Sequence, residues 1–149
     1  MNVLLFDNHD SFSWNLSHDL ERAGASVEVV RYEALAIDVE KQLIPFDAIV
    51  LSPGPGMPSD APGLMDVLAS AIKLRKPILG VCLGLQAIVE YFGGDLENMN
   101  EVLHGRVRVL QIVENCDIFE NINSGCEVGH YHSWCAVEAS LPSELSVIA

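Results

Sequence analysis

The chain has 149 residues, half of them hydrophobic and only 7% aromatic, with eight basic against twenty-one acidic side chains and a formal net charge of −13. That length is one domain by the usual size distribution, with a core of Val, Ile, Leu and Ala, and the acidity argues for solubility or a basic docking partner and against nucleic acid and membrane as partners. Residues 1–6 are too short for a signal peptide, no stretch has the roughly 20 apolar residues of a membrane helix, and Cys82, Cys116, Cys126 and Cys135 fit neither zinc spacing nor a disulfide framework, so free thiols and a cytoplasmic location are expected.

In chain order, Asn2–Phe6 (NVLLF) reads as a strand buried on both faces. A helix follows, capped by Asp10 or Ser11, with Phe12, Leu16, Leu20 and Ala23 on one face and Gly24 as its stop. Ser26–Val30 and residues 47–52 read as the second and third strands. A helix is expected from near Asp60, where Leu64, Val67, Leu68, Ala71 and Ile72 share a face. Residues 77–81 form a fourth strand, and Leu85, Ile88, Val89 and Phe92 mark a helix ended by Gly93-Gly94. The pattern then changes: residues 107–113 and 127–137 look like strands with few helix signals between them. Strand–helix alternation predicts an α/β fold with a parallel sheet covered on both faces. In such sheets the site lies at the carboxyl ends of the strands, here residues 7–11, 52–58 and 82–86.

Gly80-Val81-Cys82-Leu83-Gly84 is a G-x-C-x-G at a strand-to-helix junction, the cysteine form of a nucleophile elbow. So sharp a turn needs small residues two places either side of the nucleophile. The helix terminus after it favours the thiolate, and the Leu83 N–H can face an oxyanion. A buried structural cysteine in a tight turn is the plainer alternative. Gln86, one helical turn beyond Cys82, sits over the same face and can bind a polar substrate, although an ordinary exposed helix position explains it equally simply. The loop Ser52-Pro53-Gly54-Pro55-Gly56-Met57-Pro58 is stiffened by three prolines, and its glycine N–H groups suit a preorganised oxyanion hole or merely a rigid turn. No G-K-[ST] follows it, which argues against a P-loop. In His130-Tyr131-His132-Ser133-Trp134 the two histidines share a strand face with no third metal ligand evident, and no metal or cofactor is expected. The cluster Asp7-Asn8-His9-Asp10-Ser11 fits helix capping in part, and a partner surface or a metal site for the rest.

Taken together, S-P-G-P-G-x-P, G-V-C-L-G-x-Q and H-Y-H-S, in this order and spacing, resemble the class I (triad) glutamine amidotransferases. The opening F-D-N-H-D-S-F-S-W-N-L is similar to the glutaminase subunits (component II) of anthranilate synthase and of aminodeoxychorismate synthesis. The resemblance runs from residue 2 to the end. It implies a flavodoxin-like, doubly wound, mostly parallel sheet with additional antiparallel strands after residue 94. It implies Cys82 as nucleophile toward the side-chain amide of L-glutamine, with the N–H groups of Gly56 and Leu83 on the oxyanion. Glutamine would lie against Gly54, Pro55, Gly56, Gln86 and the backbone of Ser133 and Trp134. The ammonia would pass to a chorismate-using synthase subunit (component I), which the region of Asp10-Ser11 would face. The family's histidine and glutamate belong to a G-x-Q-F-H-P-E-S type motif that residues 1–149 do not contain, and none of His9, His18, His104, His130 and His132 stands in that context. Residues 1–149 are therefore expected to be an amidotransferase domain lacking its C-terminal part, inactive alone, with residues 145–149 read as a strand cut short. The alternative is a non-catalytic docking subunit. A response-regulator receiver would need an aspartate where Ser52-Pro53 stands.

Overall fold

The computed structural model describes residues 1–114 and 116–149, with the side chains of residues 100–103 outside the description. It divides into two compact units, Met1–Tyr91 and Phe92–Ala149.

The first unit is organised by β1 (Asn2–Phe6), whose last four residues are buried. Successive side chains of a strand point to opposite faces, and β1 separates its own accordingly. Leu4 and Phe6 enter one core with Ile49 and Leu51, while Val3 and Leu5 enter another with Val50. Helix α1 (Ser13–Arg22) covers the second face through Leu16 and Leu20. Helices α2 (Val39–Leu43), α3 (Leu64–Lys73) and α4 (Leu83–Tyr91) cover the first through Leu43, Leu64, Val67, Leu68, Ala71, Leu83 and Ala87. With β2 (Ser26–Val30), β3 (Ala48–Leu51) and β4 (Ile78–Gly80), β1 builds a four-stranded sheet in the order β2-β1-β3-β4. Every pairing is parallel, which is the doubly wound, flavodoxin-like arrangement.

The second unit is built on β5 (Leu96–Val109) and β6 (Glu127–Ala136), paired antiparallel with register shifts between Asn98 and Leu103 and between His104 and Arg106. Gly105, at φ +65, lies in the second irregularity, where an extra residue must be accommodated.

Several expectations need correction. Neither Asp10 nor Ser11 is the cap residue of α1: that position is Phe12, and the Asp10 carboxylate accepts the Phe12 N–H at 2.8 Å in a turn ahead of the helix. The buried face of α1 includes Ser13 and Ser17, whereas Phe12 is 58% exposed. Small hydroxyl residues let the helix lie close to the sheet, and the apolar stripe flanks them. Helix α3 begins at Leu64, after a single 3-10 turn over Pro58–Asp60 and a left-handed Gly63. Helix α2 carries too few residues for periodicity to reveal it, and the Asp38 side chain caps it by accepting the Lys41 N–H at 3.1 Å. Residues 145–149 form no strand, although the Ile148 carbonyl accepts N–H groups from Val113 and Glu114.

Candidate active site

The order β2-β1-β3 places the topological switch between β1 and β3, where a crevice opens at the strand ends. The segments leaving β1 and β3 meet there. The Asn8 backbone N–H donates to Ser52 Oγ at 2.9 Å, and the Asn8 side-chain amide donates to the Ser52 carbonyl at 3.0 Å. Both residues are buried.

Asp7, 1% exposed, sits one residue earlier. Its Oδ1 accepts from Ser13 Oγ at 2.6 Å and from the Asp10 N–H at 3.1 Å, and its Oδ2 accepts from Arg31 Nε at 2.7 Å. Burial pushes this carboxyl up, but the bonds from Ser13, Arg31 and the Asp10 N–H, with the arginine's charge, hold it below the usual carboxylate value. A carboxylate so occupied is a structural bolt joining β1, β2 and α1. Among the described residues, no group of three or more His, Cys, Asp and Glu side chains is placed to hold a metal ion.

Cys82 stands between β4 and α4, separated from the strand end by Val81, and is exposed. Its φ is +53°, a left-handed conformation that a residue with a Cβ adopts at a cost. The glycines on either side explain how the turn closes. A Cβ on Gly80 would lie 2.5 Å from the carbonyl carbon of Gly84, and one on Gly84 would lie 2.4 Å from the Leu51 carbonyl oxygen. Helix α4 can start against the β3–β4 edge only because both positions lack a side chain. The Cys82 carbonyl accepts the Gln86 N–H at 3.0 Å, which ties the elbow into the first turn of α4.

The Leu83 N–H at the start of α4 does favour the thiolate of Cys82, but two other influences outweigh it. Partial burial raises the Cys82 thiol, the Leu83 N–H opposes this, and the negative charge of Asp10 raises it further, for a net upward shift. A raised thiol yields less of the reactive thiolate, so any nucleophilic chemistry at this elbow calls for a base.

The proline–glycine loop lies against this elbow. A Cβ on Gly54 would meet Asn8 Cβ and Leu83 Cδ2, each at 2.6 Å, so only glycine fits between the β1 loop and the first residue of α4. Gly56 has φ +77°, and among the described residues its N–H meets no acceptor. The 3-10 turn after it packs on α4, and Asp60 accepts the Met57 N–H at 3.2 Å. Pro55 is exposed and borders a small pocket lined also by Asn8, His9, Tyr32, Asp60 and Pro62. Gln86 is 9% exposed, so its reading as an ordinary surface residue is overturned, whereas Leu85, expected on the apolar face, is 54% exposed. Cys82, Leu83, Gly54, Pro55, Gly56 and Gln86 all lie in the first unit, where Gly54 runs beside Leu83 and Gln86 is hydrogen-bonded to Cys82.

Ser133 and Trp134 stand on β6 of the second unit. There His132 Nδ1 lies 3.0 Å from the Trp134 carbonyl, and its Nε2 lies 3.0 Å from His130 Nδ1. The carbonyl is an acceptor only, so His132 donates from Nδ1 and His130 donates to Nε2 when both rings are neutral. The pair is thereby tied to the strand backbone at Trp134. Sequence reasoning missed the Asn8–Ser52 and Asp7–Arg31 pairs, because partners 44 and 24 positions apart leave no local signal.

The chain matches the family glutamine amidotransferase class-I over residues 4–149. It belongs to that family. This amidotransferase chain is 40% identical over 148 residues to a multifunctional tryptophan biosynthesis protein of Pichia angusta, covering 99% of this chain and 40% of that protein. It is 35% identical over 150 residues to anthranilate synthase component 2 of Vibrio parahaemolyticus, covering 99% of this chain and 74% of the relative. The chain therefore spans about two fifths of the Pichia protein's length and about three quarters of the Vibrio protein's. A glutamine amidotransferase of known structure from Thermotoga maritima aligns with a TM-score of 0.78 at 16% identity, covering 99% of this chain and 66% of the other, which shows a shared fold.

Proposed function

We propose that this amidotransferase domain hydrolyses L-glutamine through a thioester on Cys82 and delivers the ammonia to a chorismate-using synthase subunit, as in anthranilate synthase. The observation that carries this is the Cys82 elbow: a left-handed cysteine between two glycines that backbone contact forbids from being anything larger. The similarity to anthranilate synthase component 2 supports the pathway. The Cys82 thiolate attacks the side-chain carbonyl carbon of glutamine, and the oxyanion lies on the N–H groups of Gly56 and Leu83. Collapse breaks the carbon–nitrogen bond, and the amide nitrogen leaves as ammonia after taking a proton. Water then hydrolyses the thioester to glutamate and restores the thiol. Gly54, Pro55, Gln86 and the backbone of Ser133 and Trp134 hold the substrate. The raised thiol calls for a base, which we assign to a histidine, oriented by a glutamate, outside residues 1–149. On this reading residues 1–149 are an incomplete amidotransferase domain, inactive alone, working in the cytoplasm without a cofactor.

Cys82→Ser in the complete protein is expected to lower glutamate release from glutamine by on the order of 10⁴-fold. Turnover unchanged by the substitution would refute the mechanism. Glutaminase activity from residues 1–149 by themselves would move the base to His130 or His132. The second reading, a docking subunit without catalysis, rests on the histidine and glutamate motif not being among these residues. It requires that the complete protein bind the synthase yet release no glutamate. Ammonia transfer to chorismate, with the product identified, separates anthranilate from aminodeoxychorismate synthesis.

A further inference from the structure

We infer that Asn8 is the positioning residue that holds the proline–glycine loop in its oxyanion-binding shape, an inference resting on the glutaminase reading above. Asn8 grips the start of that loop twice. Its backbone N–H donates to Ser52 Oγ at 2.9 Å, and its side-chain amide donates to the Ser52 carbonyl at 3.0 Å. Ser52 Oγ passes the constraint on by donating to the Pro53 carbonyl at 2.6 Å. A Cβ on Gly54 would collide with both Asn8 Cβ and Leu83 Cδ2, so the loop runs between Asn8 and the residue after Cys82 with room only for glycine.

The orientation of the amide is fixed by chemistry. The Ser52 carbonyl only accepts, so the nitrogen of Asn8 must face it. Among the described residues, Asn8 Oδ1 is then left buried with no hydrogen-bond partner, in a residue only 6% exposed. A buried amide with an unpaired acceptor is not what packing alone selects. An apolar residue of similar size would fill the space without that penalty, but it could not hold Ser52. The amide N–H is therefore the part of Asn8 that matters, and what it fixes is the approach to Gly56.

The test uses the complete protein with Asn8→Asp and Asn8→Ala, reading glutaminase kcat and KM beside the rate of Cys82 alkylation by iodoacetamide. Alkylation reports the thiol without an oxyanion. In N8D the shape is kept, but an oxygen faces the Ser52 carbonyl. The expected result is a fall in kcat on the order of 10–100-fold, less than the loss of a whole oxyanion donor, with KM and alkylation within about twofold. The N8D deficit should shrink as pH falls, because a protonated carboxyl regains a donor. A kcat in N8D within about twofold of the parent overturns the inference, as does a loss of alkylation parallel to that of kcat, which would mark a purely structural role. A parent protein without glutaminase activity overturns the functional reading and this inference together.

Discussion

Cys82 carries opposing influences on one thiol. Burial and the Asp10 carboxylate raise it, and the Leu83 N–H acts the other way. Only the thiolate attacks, so the rate of Cys82 alkylation should climb with pH to a midpoint above that of an ordinary thiol. Asp10→Asn removes one of the raising influences and is expected to move that midpoint down, read by mass spectrometry of iodoacetamide-treated protein across a pH series. A midpoint unmoved by the change would show that burial alone sets it. The elbow at Cys82 was legible in the sequence because its requirements are local: glycines two residues either side and an adjacent helix start. Its protonation state was not, since Asp10 lies 72 positions away in the chain and reaches the thiol only once β1 and β4 share a sheet. Gln86 teaches the same point. Its spacing from Cys82 was plain, yet its burial depends on what packs over α4.

At the scale of elements, the junctions between strands and helices are where substitutions should be felt most. Gly84→Ala sets a methyl 2.4 Å from the Leu51 carbonyl oxygen, with backbone on both sides of the clash. Neither element can yield without breaking the β3–α4 packing, so a loss of about 3 kcal/mol in unfolding free energy is expected from urea titration. The Asp7 bolt gives a pH signature. Its carboxyl lies below the usual value when folded, so its stabilisation is present above the unfolded-state value of about 3.9 and is lost as pH falls through the lower folded value. Asp7→Asn should therefore lower the urea midpoint near neutrality and differ progressively less from the parent in acid. A constant difference at all pH values would remove the charge from the account. Strands β1 and β3 were readable because a strand buried on both faces is a continuous apolar run. Helix α2 was not, because five residues cannot display a helical period, and the Asp38 cap resembles any loop aspartate.

Across the whole molecule, the two units differ in what they bury. The buried hydrophobic residues among those described run from Val3 to Val89, all within Met1–Tyr91. The β5–β6 pair is a two-stranded ribbon with no buried hydrophobic core residue among those described, and such ribbons are marginally stable. Hydrogen exchange of the 149-residue chain should show amides of β1, β3 and α3 protected on the order of 100-fold or more over those of β5 and β6. Equal protection would mean that the ribbon gains stability from contacts beyond its own pairing. The sequence by itself determined the alternating strands and helices, the elbow at Cys82, the rigid loop at Gly54–Gly56 and the family, because each is written in residues a few positions apart. The tertiary structure decided what depends on distant partners: the Asn8–Ser52 grip, the Asp7–Arg31 bolt, the burial of Gln86 and the raised thiol of Cys82. Hydrogen bonds and burial are set by proximity in space, and only folding of the sheet brings the ends of β1, β3 and β4 to one edge.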